Sequence, residues 1–437
     1  MNQRSAAAAA SSVARPESAT HALVGWSGAA GLLLGVTAMN FHDRPWPIAD
    51  TALFVLACAA VGVFAPDLLW QRVQRRALVA PAPAGSWPRT FTKFAGLLGT
   101  AAFIALLYWL FPEYSFGSGS FYANYWAALR IVLPLWALLA LPYLYWVDRR
   151  LAQPHDALWQ MGRLVTLHWH DAEPRVIGQY LLGWLVKGFF LPLMFTYFCG
   201  NLDQLLHYDL NRLRSFKGFY DWAFFAMYFI DVALVSMTYL MSLKLTDTHI
   251  RSTEPTMFGW TTALLCYQPF WSLISRQYID YDSPIRWDLR LAGLHWLYVL
   301  WACLILALVA IYAWSTIAFG GRFSNLTHRG IITNGPYRYS KHPAYLSKNL
   351  SWWLVSMPFI ANEGVAVALR RCVLLALLNA IYYLRAKTEE RHLATDPVYL
   401  QYAAWMERHG VLRWLNRLPG IGTIARWRPQ FRVWTRP

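Results

Sequence analysis

Apolar runs of about 20 residues, such as ALVGWSGAAGLLLGVTAMN from Ala22 and TALFVLACAAVGVFAPDLLW from Thr51, recur along most of the chain. A run of that length matches the hydrocarbon thickness of a bilayer when it is helical. Hydrocarbon offers the backbone no hydrogen-bond partner, so each crossing segment must satisfy its own N–H and C=O groups, and an α-helix does so. The expected fold is therefore all-α, a polytopic transmembrane helical bundle. Composition agrees, because 57% of the 437 residues are hydrophobic and only 14% are charged, which is too apolar for an ordinary soluble globule. Breakers between the runs place about ten spans, near 22–39, 51–70, 91–111, 125–147, 177–198, 219–243, 256–274, 294–319, 345–361 and 365–386. The last two read as a helical hairpin turning at Ala361 to Gly364. Residues 1–20 lack an apolar core and read as a disordered tail, residues 21–293 as transmembrane helices without an assigned role, and residues 294–437 as a C-terminal region of distinct character.

A net charge of +16 would point to nucleic acid on a soluble protein. Here the cations gather in loops and in the tail, where topology and an anionic leaflet favour them, so no nucleic-acid partner is expected and the partner is the lipid bilayer. With a cytoplasmic N-terminus, sixteen Lys and Arg fall in cytoplasmic loops against seven in the opposite loops. An even number of spans then returns the C-terminus to the same side, so both termini are expected in the cytoplasm. The five cysteines lie in apolar segments with no CxxC and read as reduced packing residues.

Ionisable residues inside a span are costly unless they pair, snorkel or face the bundle interior. Arg130, Lys187, Asp231, Arg370 and Arg371 are such residues, and an Asp231–Lys187 pair is one arrangement that would satisfy two of them. The HWHD run at His168 to Asp171 has a ligand-like H-x-H spacing but no third ligand nearby, so no metal site is expected. P-loop, GxGxxG, HExxH and GxSxG patterns are absent from the sequence, which removes the chemistries those motifs carry.

Two polar blocks flank the last hairpin: Gly321 to Asn349, containing TNGPYRYSKHPAYLSKN, and Arg385 to Gly410, containing RAKTEERHLATDPVYLQY. A hairpin returns the chain to the membrane face it left, so the two blocks can meet. The first supplies a Gly335-Pro336 turn, a second break at Pro343, the rings of Tyr337, Tyr339 and Tyr345, and the groups His328, Arg338, Lys341 and His342. The second supplies Glu389 and Glu390, Arg385 one helical turn earlier, and Tyr399, Tyr402 and Trp405. Cations, carboxylates and ring faces together suit an amphoteric ligand the size of an adenosine.

The runs HRGIITNGPYRYSKHPAY, RAKTEERHL and DPVYLQY resemble the isoprenylcysteine carboxyl methyltransferase and phospholipid methyltransferase superfamily of integral membrane enzymes. The resemblance covers roughly residues 294–415. It implies S-adenosyl-L-methionine as cofactor, held between the last hairpin and the C-terminal segment on the cytoplasmic side. Carried over by matching position, His328, Gly335, Tyr337, Arg338, His342, Pro343, Tyr345 and Glu390 would surround the cofactor, and Arg385 and Glu389 would stand at the reacting end. The two glutamates are interchangeable in that assignment. Lys341 stands where the family usually has arginine, and Ser347 where glycine is common. The implied reaction is methyl transfer to a lipid or lipid-linked small molecule. Two other readings fit parts of the sequence. A sterol-reductase-like enzyme using NADPH shares the span count and an R-H-P-x-Y element, and a transporter or scaffold would account for Lys187 and Asp231.

Overall fold

The computed structural model describes residues 14–42, 46–78, 85–117 and 119–414. Among the described residues, eight helices are long and apolar enough to cross a bilayer: α1 (Ala22–Asn40), α2 (Ile48–Leu69), α3 (Trp87–Leu110), α4 (Ala123–Asp148), α6 (Pro174–Leu206), α7 (Phe216–Leu240), α9 (His295–Ile317) and α11 (Val365–Leu393). Between and after them lie the shorter α5 (Ala157–Val165), α8 (Met257–Leu264), α10 (Pro343–Ser356) and α12 (Pro397–His409). Outward-facing leucines on α4 (Leu133, Leu135, Leu138, Leu139) and the exposed Val365, Leu369, Val373 and Leu377 on α11 give these helices an apolar exterior that water would not tolerate over such a length. The chain is an integral membrane protein.

The two remaining expected spans take other forms. The 256–274 run is broken after α8 by a turn around Pro269, which lacks the N–H that would continue the helix, and resumes as a short wide turn at Trp271–Ser275. The 345–361 run forms α10, whose 14 residues span about 21 Å at helical rise, short of a bilayer core. It stops at Met357, which adopts a left-handed φ of 41°, just before Pro358.

α1 and α2 pack with their backbones almost in contact. A Cβ on Gly31 would lie 2.4 Å from the Cys58 carbonyl oxygen, so glycine is needed for the approach, as at many helix crossings in membranes. The largest core joins α1, α2, α4, α6 and α7, while smaller clusters tie α7 to α9 and α10, and α10 to α11. A buried ion cluster staples α3, α4 and the N-terminus of α5 to the loop after α7: Lys93 Nζ lies 2.8 Å from Asp148 and 3.2 Å from Asp156, and Lys244 Nζ 2.6 Å from Asp156. The Asp231–Lys187 pair does not form. Asp231 accepts from Tyr312 and Thr316 of α9, and Lys187 places its ammonium 4.7 Å from the Trp184 ring centre.

Two features tie residues before 294 to the C-terminal region. Strand β1 (Ser252–Thr253) pairs antiparallel with β2 (Thr327–His328), with Ser252 opposite His328. Residues 14–20, the end of the stretch read as a tail, run along the segment 331–334: Ala19 N donates to the Ile331 carbonyl at 2.9 Å, Thr333 Oγ1 to the Pro16 carbonyl at 2.9 Å, and Asn334 Nδ2 to the Thr20 carbonyl at 2.7 Å. Residues 1–13 of that tail, and the basic tail from residue 415, lie outside the described residues.

Candidate functional site

The C-terminal end of α9, the N-terminus of α10 and the C-terminal end of α11 meet at one face of the bundle, and α12 folds back over them. Asp396 caps α12 by accepting from Val398 N at 2.8 Å, and Pro397 occupies its first turn, so this helix begins sharply where the sequence has DP. The loop between α9 and α10 bends at Gly335, which has φ of 54° and lies against Trp314 and Ala318. A side chain there would meet both the strained backbone and the indole. Tyr402 Oη donates to the Tyr337 carbonyl at 2.6 Å and fixes α12 against this turn.

These elements enclose a cavity of about 140 Å³, roughly ten times the space one water needs. Both polar blocks line it: Tyr337, Lys341, His342 and Tyr345 from the first, Arg385, Glu389, Tyr399 and Tyr402 from the second. The hairpin thus brings the blocks together as their spacing implies.

Arg385 organises one wall. It is 3% exposed and its guanidinium carbon lies 5.3, 5.0 and 5.9 Å from the ring centres of Tyr267, Tyr345 and Tyr382. Its Nη2 donates to Asn325 Oδ1 at 2.5 Å and its Nε to Glu389 Oε1 at 3.3 Å. Glu389 also accepts from Tyr345 Oη, and the Tyr345 ring stacks on His342 at 5.5 Å.

Glu390 turns to the cavity's outer side instead. Its carboxylate is held by Lys341 Nζ at 2.9 Å, Lys387 Nζ at 3.0 Å and His342 Nε2 at 3.2 Å. Of the two adjacent glutamates, Glu389 lines the cavity and Glu390 does not. Pro343 starts α10, and Arg338 is exposed away from the cavity.

His328 also stands outside the cavity, on β2, with Nε2 3.2 Å from Asp396 Oδ2. Burial lowers its pKa to about 4, only partly opposed by Asp396. The folded state then resists protonation while an unfolded chain takes up the proton near pH 6.5, so this contribution to stability is present above pH 6.5 and lost as pH falls towards 4. The thermal midpoint of the detergent-solubilised protein is accordingly expected to fall between pH 7 and pH 5, and His328→Asn to flatten that fall; an unchanged pH slope in the variant would count against the assignment.

Two buried donors facing the cavity have no partner: Asn325 Nδ2 and Tyr399 Oη. Burial holds the Tyr399 hydroxyl well above its ordinary pKa, so it keeps its proton. Buried donors are normally satisfied, and a bound ligand with acceptor atoms would satisfy both. Several lining residues lie outside the sequence assignment: Tyr267, Tyr312, Thr316, Asn325, Lys348 and Tyr382. Tyr382 was detectable, because Tyr382, Arg385 and Glu389 share one helix face at i, i+3 and i+7. Asn325 and Tyr267 carry no local signal.

Fold and site together define a polytopic helical membrane protein with a polar, aromatic-walled cavity at one end of its last long helices. Residues 296–395 match the family model described as isoprenylcysteine carboxyl methyltransferase (ICMT) family. That match spans α9 from its second residue, α10 and the whole of α11, and it supports a membrane methyltransferase in general. No curated protein and no solved structure matches the chain.

Proposed function

We propose that the protein is an S-adenosylmethionine-dependent methyltransferase acting on a lipid or lipid-linked small molecule, with its site on the cytoplasmic side. The observation that carries this reading is the cavity itself: the two motif blocks converge on it, and it presents unpartnered donors from Asn325 and Tyr399 beside ring faces and a carboxylate. An adenosine brings acceptor nitrogens, a flat face for the tyrosines and a diol for Glu389. When bound, S-adenosylmethionine supplies a methyl group on a sulfonium, whose carbon–sulfur bond breaks with the electron pair returning to sulfur.

The chain's own residues position and exclude. Tyr337, His342 and Tyr345 form the cofactor wall, Gly335 and Pro343 set the bends on either side, and Arg385 fixes Glu389 and Asn325 in place. Glu390 orders Lys341 and His342 at the mouth, and His328 braces α12 through Asp396. Arg338, exposed away from the cavity, takes no part in the wall. A dry site that holds the two reactants in line is sufficient for large acceleration when the leaving group is already good. The matched family's description names a carboxyl group on isoprenylcysteine as the acceptor, and an amphipathic acceptor of that kind suits a cavity lined by aromatic rings and cationic side chains. Residues 294–437 form the methyltransferase-like part in this reading, and residues 21–293 frame it, lending Tyr267 to its wall.

Titration calorimetry of the purified full chain with S-adenosylhomocysteine and, separately, with NADPH tests the proposal. Saturable binding of S-adenosylhomocysteine is expected; saturable binding of NADPH alone would replace the methyltransferase by a reductase.

A further inference from the structure

Arg385 and Lys348 both line the inner part of the cavity, but their donors are used differently. Arg385 is committed to Asn325, Tyr267 and Glu389. Lys348, on α10, makes no side-chain hydrogen bond and no ion pair among the described residues. Its Nζ lies instead 5.0 Å from the Tyr312 ring centre and 5.5 Å from that of Trp352. An ammonium carries three donors and is strongly hydrated. Ring faces replace only part of that hydration, so this half-buried ammonium keeps donors open to a further partner.

The nearest carboxylate does not fill the gap. Asp231, on α7, spends one oxygen on Tyr312 Oη at 2.6 Å and the other on Thr316 Oγ1. Tyr312 and Thr316 line the cavity whereas Asp231 lies behind them. Asp231 therefore leaves the donors of Lys348 unoccupied, and Lys348 borders the cavity.

We propose that Lys348 is the specificity residue for the methyl acceptor, receiving the acceptor's acid group at the inner end of the cavity. The inference rests on the methyl-transfer reading above and on the carboxyl acceptor that the matched family's description names, and it assigns the residue that would hold that group. An amine at this position would meet a like charge, and a neutral lipid would leave the ammonium unpaired.

The test uses purified full-length protein saturated with S-adenosylhomocysteine and a matched probe pair, N-acetyl-S-farnesylcysteine and its carboxamide, titrated calorimetrically. The native chain is expected to prefer the acid over the amide by about tenfold or more, since a site built around a charged partner discriminates strongly against its neutral isostere. Lys348→Met should erase the preference while S-adenosylhomocysteine affinity stays within about twofold, which also reports that the variant is folded. Lys348→Arg should retain most of the preference. Equal affinity of the native chain for acid and amide, including no measurable affinity for either, overturns the proposal, as does a preference that survives in Lys348→Met. Absence of S-adenosylhomocysteine binding in the native chain defeats the methyltransferase reading instead, and the acid–amide comparison, repeated without it, still judges Lys348.

Discussion

Arg385→Ala is expected to lower methyl transfer by about 100- to 1000-fold and to weaken S-adenosylhomocysteine binding with it. Removing the guanidinium strips three tyrosine rings of their common filler, leaves Asn325 Oδ1 with only the Tyr267 hydroxyl at 3.4 Å, and takes one charge-assisted bond from Glu389. Breaking a buried ionic contact from one side costs about 3–5 kcal/mol, and each 1.4 kcal/mol carried into binding or the transition state is about tenfold. Arg385→Lys keeps the charge but loses the fork, so it should fall between the native chain and the alanine variant. Initial rates, with calorimetric binding as control, decide the matter. A folded alanine variant with native rates would remove Arg385 from the site.

The second large effect lies outside the cavity. Arg322 and Asp67 pair at 3.1 Å with neither side chain exposing any surface, and this contact joins the end of α2 to the loop that leads into the site. Arg322→Met strands the Asp67 carboxylate, which retains only Gln71 and Thr20 as donors. A loss of about 3–5 kcal/mol is expected. Arg322→Met combined with Asp67→Asn should recover a substantial part of it, because the uncompensated charge is gone. Thermal unfolding midpoints of the single and double variants measure the coupling, and additive losses would show that the pair acts through something other than its charges.

Much of the architecture is legible in the apolar runs, because a bilayer leaves the backbone few choices. The two exceptions have physical causes. Pro269 interrupts one run, and α10 stops before Met357 and Pro358. Runs of similar hydropathy therefore gave eight long helices and two interrupted segments. In the site, the convergence of Tyr337, His342, Tyr345, Arg385 and Glu389 follows from motif spacing and a returning hairpin. The different fates of Glu389 and Glu390 do not, since adjacent helical residues point about 100° apart and only the packed structure tells which faces inward. His328 reads as a ligand residue by position, yet it pairs with β1 and faces Asp396, an arrangement that depends on a strand outside the C-terminal region. Asn325, Tyr267 and Asp231 come to the cavity region from positions with no motif, brought there by tertiary packing alone.

The strap of residues 14–20 carries a consequence for how the protein comes into being. Its bonds to Thr333 and Asn334 span 317 and 314 residues. By chain statistics each doubling of a loop costs only about 0.6 kcal/mol, so that separation burdens the finished molecule little. It matters in time. The strap emerges from the ribosome among the first described residues, and its docking groove does not exist until the α9–α10 loop has been made. The cavity wall can therefore set only late in synthesis, once the α9–α10 loop has been made and residues 14–20 can dock on it.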